Sequence, residues 1–164
     1  MKLTDYEKAM LAGEHGLMRQ QAMEALCDLA RFYDVEEFVE IVGCHDDSTV
    51  YAGEAQVAFA EHLADNGAKF AVPTTTNATA CDMNLWNRQK HDVETMSATR
   101  RIEAAHVKMG AIPTWSCAPY HIGVAPSFGQ QFASAESNVI CYYNSIIGAR
   151  TNRYAGPLEL LCGI

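Results

Sequence analysis

Residues 38–77 read FVEIVGCHDDSTVYAGEAQVAFAEHLADNGAKFAVPTTTN, and this stretch decides the fold. It contains two short apolar runs, 38–43 and 68–72, which are bounded by glycine or proline and therefore predict two strands. Between them, residues 53–65 place apolar side chains at helical spacing and stop at Asn66-Gly67, which predicts a helix. A strand, a helix and a second strand with short connections indicate an α/β unit with parallel strands.

The same alternation continues on both sides of this unit. The segment Thr4-Asp5-Tyr6-Glu7 has the pattern of a helix capping box. Residues 17–33 carry an apolar stripe with a spacing near 3.6, which predicts a second helix. Downstream, the predicted elements are a short helical turn at 82–86, helices at 92–109 and 128–137, and strands at 111–116 and 138–143. The chain is therefore predicted to form an α/β domain with a mainly parallel sheet flanked by helices.

Four polar clusters follow the predicted strands. They read CHDDS from Cys44, PTTTN from Pro73, SCAPY from Ser116 and NSIIGARTNR from Asn144. Polar groups are costly in an apolar region unless they find partners, so a dense set of them indicates a site. Ligands of open α/β sheets bind beyond the carboxyl ends of the strands. We therefore expect the four clusters to meet at one edge of the sheet.

Composition narrows the class of protein. The 164 residues are 49% hydrophobic and 20% charged, which is typical of a folded domain. A formal charge of −8 argues against a nucleic-acid partner, because phosphate binding needs clustered lysine and arginine. No apolar run approaches the roughly 20 residues that cross a bilayer, and no targeting segment opens the chain. We expect a cytoplasmic protein, with no membrane partner and with its six widely spaced cysteines mostly reduced.

Two residues of the polar clusters could take part in chemistry. Cys117 lies in an exposed turn and could be a nucleophile, an iron or zinc ligand, or an inert thiol. A single thiolate is not a metal site, so any metal centre needs further ligands from outside this chain. Cys44 and His45 are neighbours on a strand and point to opposite faces, which favours a structural Cys44 and places His45 at the edge of the site. His106 falls on a predicted helix and is expected to be solvated or to be a satisfied packing residue.

Arg150 and Arg153 flank Thr151-Asn152 and offer guanidinium groups for a carboxylate or a phosphate. The alternative is an ordinary solvated loop, since exposed arginines are common. The threonines that precede Asn77 are likewise suited either to a binding loop or to a capped turn. No dinucleotide, P-loop, hydrolase-elbow or HExxH motif occurs. A thiol hydrolase built on Cys117 stays open, although no paired base is evident for it.

Four segments carry a family resemblance in order and spacing: LTDYEKAMLAGEHG, GAKFAVPTTTNATACD, KMGAIPTWSCAPYHIG and AESNVICYYNSIIGARTNRYAGP. Together they span essentially the whole chain and resemble the amino-terminal part of the large (catalytic) subunit of aconitase X. The resemblance implies an aconitase-like layered α/β domain and hydro-lyase chemistry on a small hydroxycarboxylic acid. It also implies assistance by iron or an iron–sulfur cluster of unspecified type.

The resemblance assigns roles to particular residues. Cys117 corresponds to the first of the cysteines that hold the iron centre. The residues expected around the substrate are Thr75, Thr76 and Asn77 of the PTT-x-N loop, Ser145, Arg150, Thr151 and Asn152 of the NS-xx-GARTN segment, and His45. The match at His45 is partial, because the family's H-x-S-G-V-S-Y stretch appears here as HDDSTVY. No catalytic base is expected within this chain.

The resemblance also implies that a complete enzyme needs polypeptide beyond these 164 residues. The base is expected on a swivelling small subunit or domain, and the other metal ligands on the remainder of the large subunit. Residues 1–164, which end on the apolar run LELLCGI, are therefore expected to be an incomplete amino-terminal portion of the catalytic domain. The ATACD continuation favours cis-3-hydroxy-L-proline as substrate, with mevalonate 5-phosphate as the alternative. An alternative of another class is a non-catalytic module that binds a small molecule or a partner.

Overall fold

The computed structural model describes residues 1–164 and contains a small parallel sheet. Its three strands are β1 (Cys44–Asp46), β2 (Thr74–Thr76) and β3 (Ala133–Ser134), in the order β2-β1-β3. Both neighbours run parallel to the central strand β1, which pairs Cys44 with Thr74 on one side and with Ala133 on the other. All strand residues are buried, so the sheet lies inside the domain. The predicted fold class is confirmed.

Seven α-helices surround this sheet. They are α1 (Asp5–Leu11), α2 (Leu17–Phe32), α3 (Glu54–Asp65), α4 (Trp86–Gln89), α5 (Val93–Met109), α6 (Ser137–Tyr142) and α7 (Gly156–Gly163). A 3₁₀ turn occupies Pro119–Ile122, and a π-helical turn, Tyr143–Ile147, continues α6. None of the helices combines the length and the apolar character that crossing a membrane requires.

The helices with clear caps agree with the sequence prediction. At α1 the Glu7 amide donates to Thr4 Oγ1 at 3.2 Å, and the Thr4 amide donates to Glu7 Oε2 at 2.6 Å, so the capping box is present. Helix α5 starts after Asp92, whose side chain accepts the Thr95 amide, and it ends at Gly110 with φ 98°. A left-handed residue at this position favours glycine because it lacks a Cβ.

The predicted strands at 38–43 and 68–72 are wrong. Both segments lack strand structure, and Val39 and Val42 of the first run are 62% and 42% exposed. The sheet instead uses the polar residues that follow each run. These strands are three residues long and buried on both faces, so their polar side chains are paired inside the protein and leave no alternating pattern.

The prediction also exchanges strand and helix in the last third of the chain. The predicted helix at 128–137 is wrong, because residues 128–136 are not helical and include β3, whereas the predicted strand at 138–143 is helical. The Glu136 carboxylate accepts the Asn138 amide at 3.0 Å and caps α6, which overrides the strand propensity of the NVICYY run. Residues 111–116 form no strand and contribute one isolated bridge, from Ile112 to Thr75. The last helix, α7, has no counterpart in the prediction.

The largest apolar cluster lies where α2, α3, α5 and α7 meet. Its buried members are Met18, Ala22, Ala60, Leu63, Ala64, Ala68, Ala105, Met109, Leu160 and Ile164. The apolar side chains that lie at helical spacing in α3, Val57, Ala60, Leu63 and Ala64, are buried as their spacing predicts. The apolar stripe predicted at 17–33 begins at Leu17 and ends at Phe32, and it is only partly right: these two residues are 56% and 79% exposed, while Met18 and Met23 are buried. This packing holds the sheet so that its carboxyl edge faces the remaining loops.

Candidate functional site

His45 lies in the centre of the sheet. Its ring is 0% exposed and its Nδ1 is 2.8 Å from Thr75 Oγ1 on the neighbouring strand. The other ring nitrogen, Nε2, has no hydrogen-bond partner. Burial lowers the pKa of His45 to about 4, although the charges of Asp46 and Glu136 oppose this. The imidazole is therefore neutral at physiological pH and keeps one nitrogen free.

Asn77 joins three loops just beyond the strands. Its side-chain amide donates to the Asp47 carboxylate and, at 2.8 Å, to Glu136 Oε2. The backbone amide of Asn77 also donates to Asp46 O at 2.9 Å. Burial raises the pKa of Asp47, and the charge of Glu136 adds to that rise, whereas the Asn77 hydrogen bond and the charge of Arg153 lower it. Two half-buried carboxylates thus share one amide at the carboxyl edge of the sheet.

Cys117 lies beside this group. The residue is exposed and its thiol is free. The preceding Ser116 donates its amide to Thr76 O at 3.1 Å, and Asn138 Nδ2 donates to Cys117 O at 3.2 Å. The Cys117 turn is therefore bound to the end of β2 on one side and to the start of α6 on the other.

The segment that contains Arg150 and Arg153 runs alongside β3. Isolated parallel bridges join Arg150 to Gln131 and Arg153 to Ser134. Arg150 is exposed, and its Nη1 donates to the carbonyls of Gly148 and Ala149 at 3.0 and 3.2 Å. The guanidinium group of Arg150 therefore folds back on its own loop.

The other residues predicted in this segment have contacts that are mainly local. Ser145 is exposed on the π-helical turn. Thr151 accepts a hydrogen bond from the Asn144 side chain and donates its amide to Asn144 Oδ1 at 3.3 Å. Asn152 is exposed and donates to the Tyr154 hydroxyl at 2.9 Å. These contacts leave Ser145 and Asn152 at the surface of the chain.

Hydrogen bonds and one bridge therefore link the four polar clusters. Asp47 bonds Asn77, Ser116 bonds Thr76, and Arg153 bridges to β3 next to His45. The predicted convergence is present for the CHDDS, PTTTN and SCAPY clusters, whereas the fourth cluster contacts the sheet only where Arg153 bridges to β3. Thr75 and Thr76 are both 0% exposed and have protein partners, so their hydroxyl groups face the interior of the chain.

The sequence prediction missed two acidic residues beneath this edge. Asp46 Oδ2 lies 2.6 Å from His106 Nε2, with both side chains fully buried. Glu159 on α7 is also 0% exposed, and its carboxyl group accepts the backbone amides of Asp47 and Ala135. Burial and the charge of Asp46 raise the pKa of Glu159 to about 10, against the effect of the two amides. The one available signal for Glu159 is a single acid inside the apolar run LELLCGI.

The donor set for a metal is small. No group of three or more histidine, cysteine, aspartate and glutamate side chains is placed to hold a metal ion. At the polar edge this chain offers one exposed thiol, Cys117. That thiol fits the role of a single ligand, and a complete coordination shell needs donors beyond these 164 residues.

The fold and the site define an α/β domain with a polar site at the carboxyl edge of a parallel sheet. A family model, the aconitase X first domain, matches residues 1–164. The chain belongs to the aconitase X family, and the resemblance seen in the four segments is confirmed.

Individual relatives agree with this membership. The chain is 36% identical over 163 residues to cis-3-hydroxy-L-proline dehydratase of Pseudomonas aeruginosa, covering 99% of this chain and 28% of that protein. It is 35% identical over 160 residues to the phosphomevalonate dehydratase large subunit of Methanothermobacter thermautotrophicus, covering 96% of this chain and 40% of that subunit. The predicted class of enzyme, a dehydratase, is the class that both names give.

A solved structure has the same fold. The crystal structure of Thermococcus kodakaraensis aconitase X in its holo-form superposes with a TM-score of 0.89 at 34% identity. The match covers 100% of this chain and 41% of that chain. This chain therefore spans well under half the length of these relatives.

Proposed function

We propose that the protein to which this chain contributes is a hydro-lyase of the aconitase X type, which removes water from a small hydroxycarboxylic acid. The observation that carries this proposal is family membership over residues 1–164, with dehydratases as the named relatives. The polar edge supports it, because a neutral histidine, a shared amide and nearby arginines suit a small polar acid.

The favoured substrate is cis-3-hydroxy-L-proline. This compound carries a carboxylate and a positively charged ring nitrogen. The paired carboxylates of Asp47 and Glu136 suit the ring nitrogen, and Arg153, whose charge reaches Asp47, suits the carboxylate. A site that holds charges of both signs within one hydrogen-bond group matches a zwitterion.

Mevalonate 5-phosphate is the second candidate. It is favoured by the 35% identity to a phosphomevalonate dehydratase large subunit. Its phosphate would have to approach the Asp47 and Glu136 carboxylates, and like charges brought together cost several kcal/mol. The formal charge of −8 acts in the same direction.

We assign Cys117 as one ligand of an iron or iron–sulfur centre. Bound iron would supply a Lewis acid that weakens the bond to the departing hydroxyl. The remaining metal ligands are proposed to come from the rest of a large subunit. The proton-abstracting base is proposed to come from a small subunit or domain.

The residues of this chain are proposed to bind and orient the substrate. Asn77 fixes the two carboxylates, and His45 keeps its Nε2 free of hydrogen bonds within reach of the Glu136 charge. The more exposed residues Ser145, Arg150, Thr151 and Asn152 would contact the substrate once the other parts cover this face. Thr75 and Thr76 support the loop from inside. The cytoplasmic location stays a prediction from the sequence.

The test is to purify the full-length protein with its co-purifying subunits and to measure iron, sulfide and dehydration activity. Cys117→Ser is expected to lower both iron content and dehydration by at least about 100-fold. Cys141→Ser is the matched control, because Cys141 is also exposed and free and has no assigned role. Full iron content and activity in Cys117→Ser would contradict the assignment of Cys117. Absence of dehydration in the wild type would favour the non-catalytic binding module.

A further inference from the structure

The turn that carries Cys117 is wrapped around Thr76, the last residue of β2. The Thr114 hydroxyl donates to Thr76 O at 2.7 Å and accepts the Thr76 amide at 3.1 Å. One side chain therefore pairs with both backbone groups of a single residue, as a neighbouring strand would. Thr76 is 0% exposed and Thr114 is half-buried, so water does not compete freely for these bonds.

The next two residues continue this attachment. Trp115 donates its amide to Thr76 Oγ1 at 3.3 Å, and Ser116 donates its amide to Thr76 O at 3.1 Å. Trp115 has φ 43°, a left-handed conformation that a bulky side chain rarely adopts. Such a conformation persists only where the surroundings hold it, and here the Thr76 contacts flank it on both sides.

Two further hydrogen bonds hold the backbone at Cys117 and Ala118. The Ala118 amide donates to Ser116 Oγ at 3.1 Å, and Asn138 Nδ2 donates to the Cys117 carbonyl at 3.2 Å. Cys117 itself is exposed and its thiol is free. The backbone is thus held from residue 114 to residue 118 while the thiol stays available.

We infer that Thr114 and Thr76 form a clamp that fixes the orientation of the Cys117 thiol, which makes Thr114 a positioning residue for that ligand. The inference rests on the proposed function, in which Cys117 binds iron. It deepens that proposal by assigning Thr114, which has no predicted role, and by giving Thr76 a structural task. Residues that orient metal ligands typically change metal affinity 10- to 100-fold when they are replaced.

The test compares Thr114→Val, which keeps the shape and removes the hydroxyl, with Thr114→Ser, which restores it. Hydrogen exchange of the amides of residues 76 and 115–118 is measured in the iron-free full-length protein. Iron affinity and the visible absorption spectrum are measured after loading. Thr114→Val is expected to lower amide protection and iron affinity by about tenfold each, and Thr114→Ser to retain both.

Two further variants separate the clamp from general destabilisation. Val57→Ala alters a fully buried side chain on α3 and is expected to lower stability without changing the spectrum or the exchange of residues 115–118. If Thr114→Val does not fold, Asn138→Ala replaces it in the test. This change at an exposed position removes only the hydrogen bond to the Cys117 carbonyl, and it is expected to weaken iron binding.

Each outcome decides a different part of the proposal. Unchanged amide protection in Thr114→Val would overturn the clamp. Lost protection with unchanged iron affinity would overturn the positioning role. A wild-type protein that binds no iron would overturn the proposed function, and the exchange measurement would then decide the clamp by itself.

Discussion

Asp46 on β1 and His106 on α5 form a buried ion pair, with 2.6 Å between Oδ2 and Nε2. His106 Nδ1 lies 2.7 Å from the Ile102 carbonyl, so this nitrogen carries a proton, and the close approach of Nε2 to the Asp46 carboxylate requires a further proton between them. Burial lowers the pKa of His106, but the hydrogen bond and charge of Asp46 outweigh that effect and raise it. The pair fixes the strand residue that precedes Asp47, and so it supports the polar edge.

His106→Ala is expected to lower the free energy of unfolding by about 3–5 kcal/mol, because it leaves the buried Asp46 carboxylate without its counter-charge. Urea unfolding followed by circular dichroism measures the change. His62→Ala, on the exposed face of α3, is the control and should change stability by less than about 0.5 kcal/mol. A loss below about 1 kcal/mol for His106→Ala, the value typical of an exposed pair, would contradict a buried ion pair.

Glu159 makes stability depend on pH in the neutral range. Its pKa is raised from an ordinary value of 4.5 to about 10, so the folded state holds the proton more tightly than the unfolded state. Stability is therefore greatest below pH 4.5 as far as this group is concerned, and it is lost as pH rises towards 10. The expected slope is up to about 1.4 kcal/mol per pH unit. Glu159→Gln should flatten this slope between pH 5 and 9, as measured by urea unfolding at each pH.

His106 contributes to the same slope, since its raised pKa gives stability that is lost above its ordinary value of 6.5. Glu159→Gln leaves the His106 contribution unchanged, so the stability of this variant still falls with pH above neutral, but less steeply than that of the wild type. If the stability of Glu159→Gln depends on pH as steeply as that of the wild type, Glu159 is ionised in the folded protein.

The fold and the site were predictable to different degrees. Caps and apolar spacing act within a few residues, so α1, α3 and α5 follow from Thr4, Gly110 and similar local signals. The strands do not follow from local signals, because the strand Thr74–Thr76 is polar and forms only through pairing with residues that are distant in sequence. The polar loops of the site were identifiable by composition, whereas the Asp46–His106 pair joins residues with no local pattern between them.

His45 should stay neutral until the solution is strongly acidic. Its pKa is lowered from 6.5 to about 4, so the unfolded state gains a proton first, and stability is lost as pH falls from 6.5 towards 4. Nitrogen-15 NMR of the histidine side chains should give a titration midpoint for His45 near 4. A midpoint above pH 6 would mean that the ring is solvated or paired with a carboxylate.

Asn77→Asp places a third carboxylate between Asp47 and Glu136 and removes both amide donations. We expect a loss of about 1–3 kcal/mol in the free energy of unfolding at neutral pH, which partly recovers when acid protonates the cluster. Thermal unfolding at pH 7 and pH 4 measures both effects. Asn87→Asp, at an exposed position on α4, is the matched control. Equal stability of Asn77→Asp and wild type at pH 7 would contradict the bridging role of Asn77.

We propose that the full-length protein is a dehydratase whose polar edge selects a zwitterionic hydroxy acid. The most direct measurement is proton NMR of the iron-loaded full-length protein, with its co-purifying subunits, in an equimolar mixture of cis-3-hydroxy-L-proline and mevalonate 5-phosphate. We expect loss of water from cis-3-hydroxy-L-proline, with turnover of mevalonate 5-phosphate at least about 100-fold slower because of the Asp47 and Glu136 charges. Preferential dehydration of mevalonate 5-phosphate would contradict it.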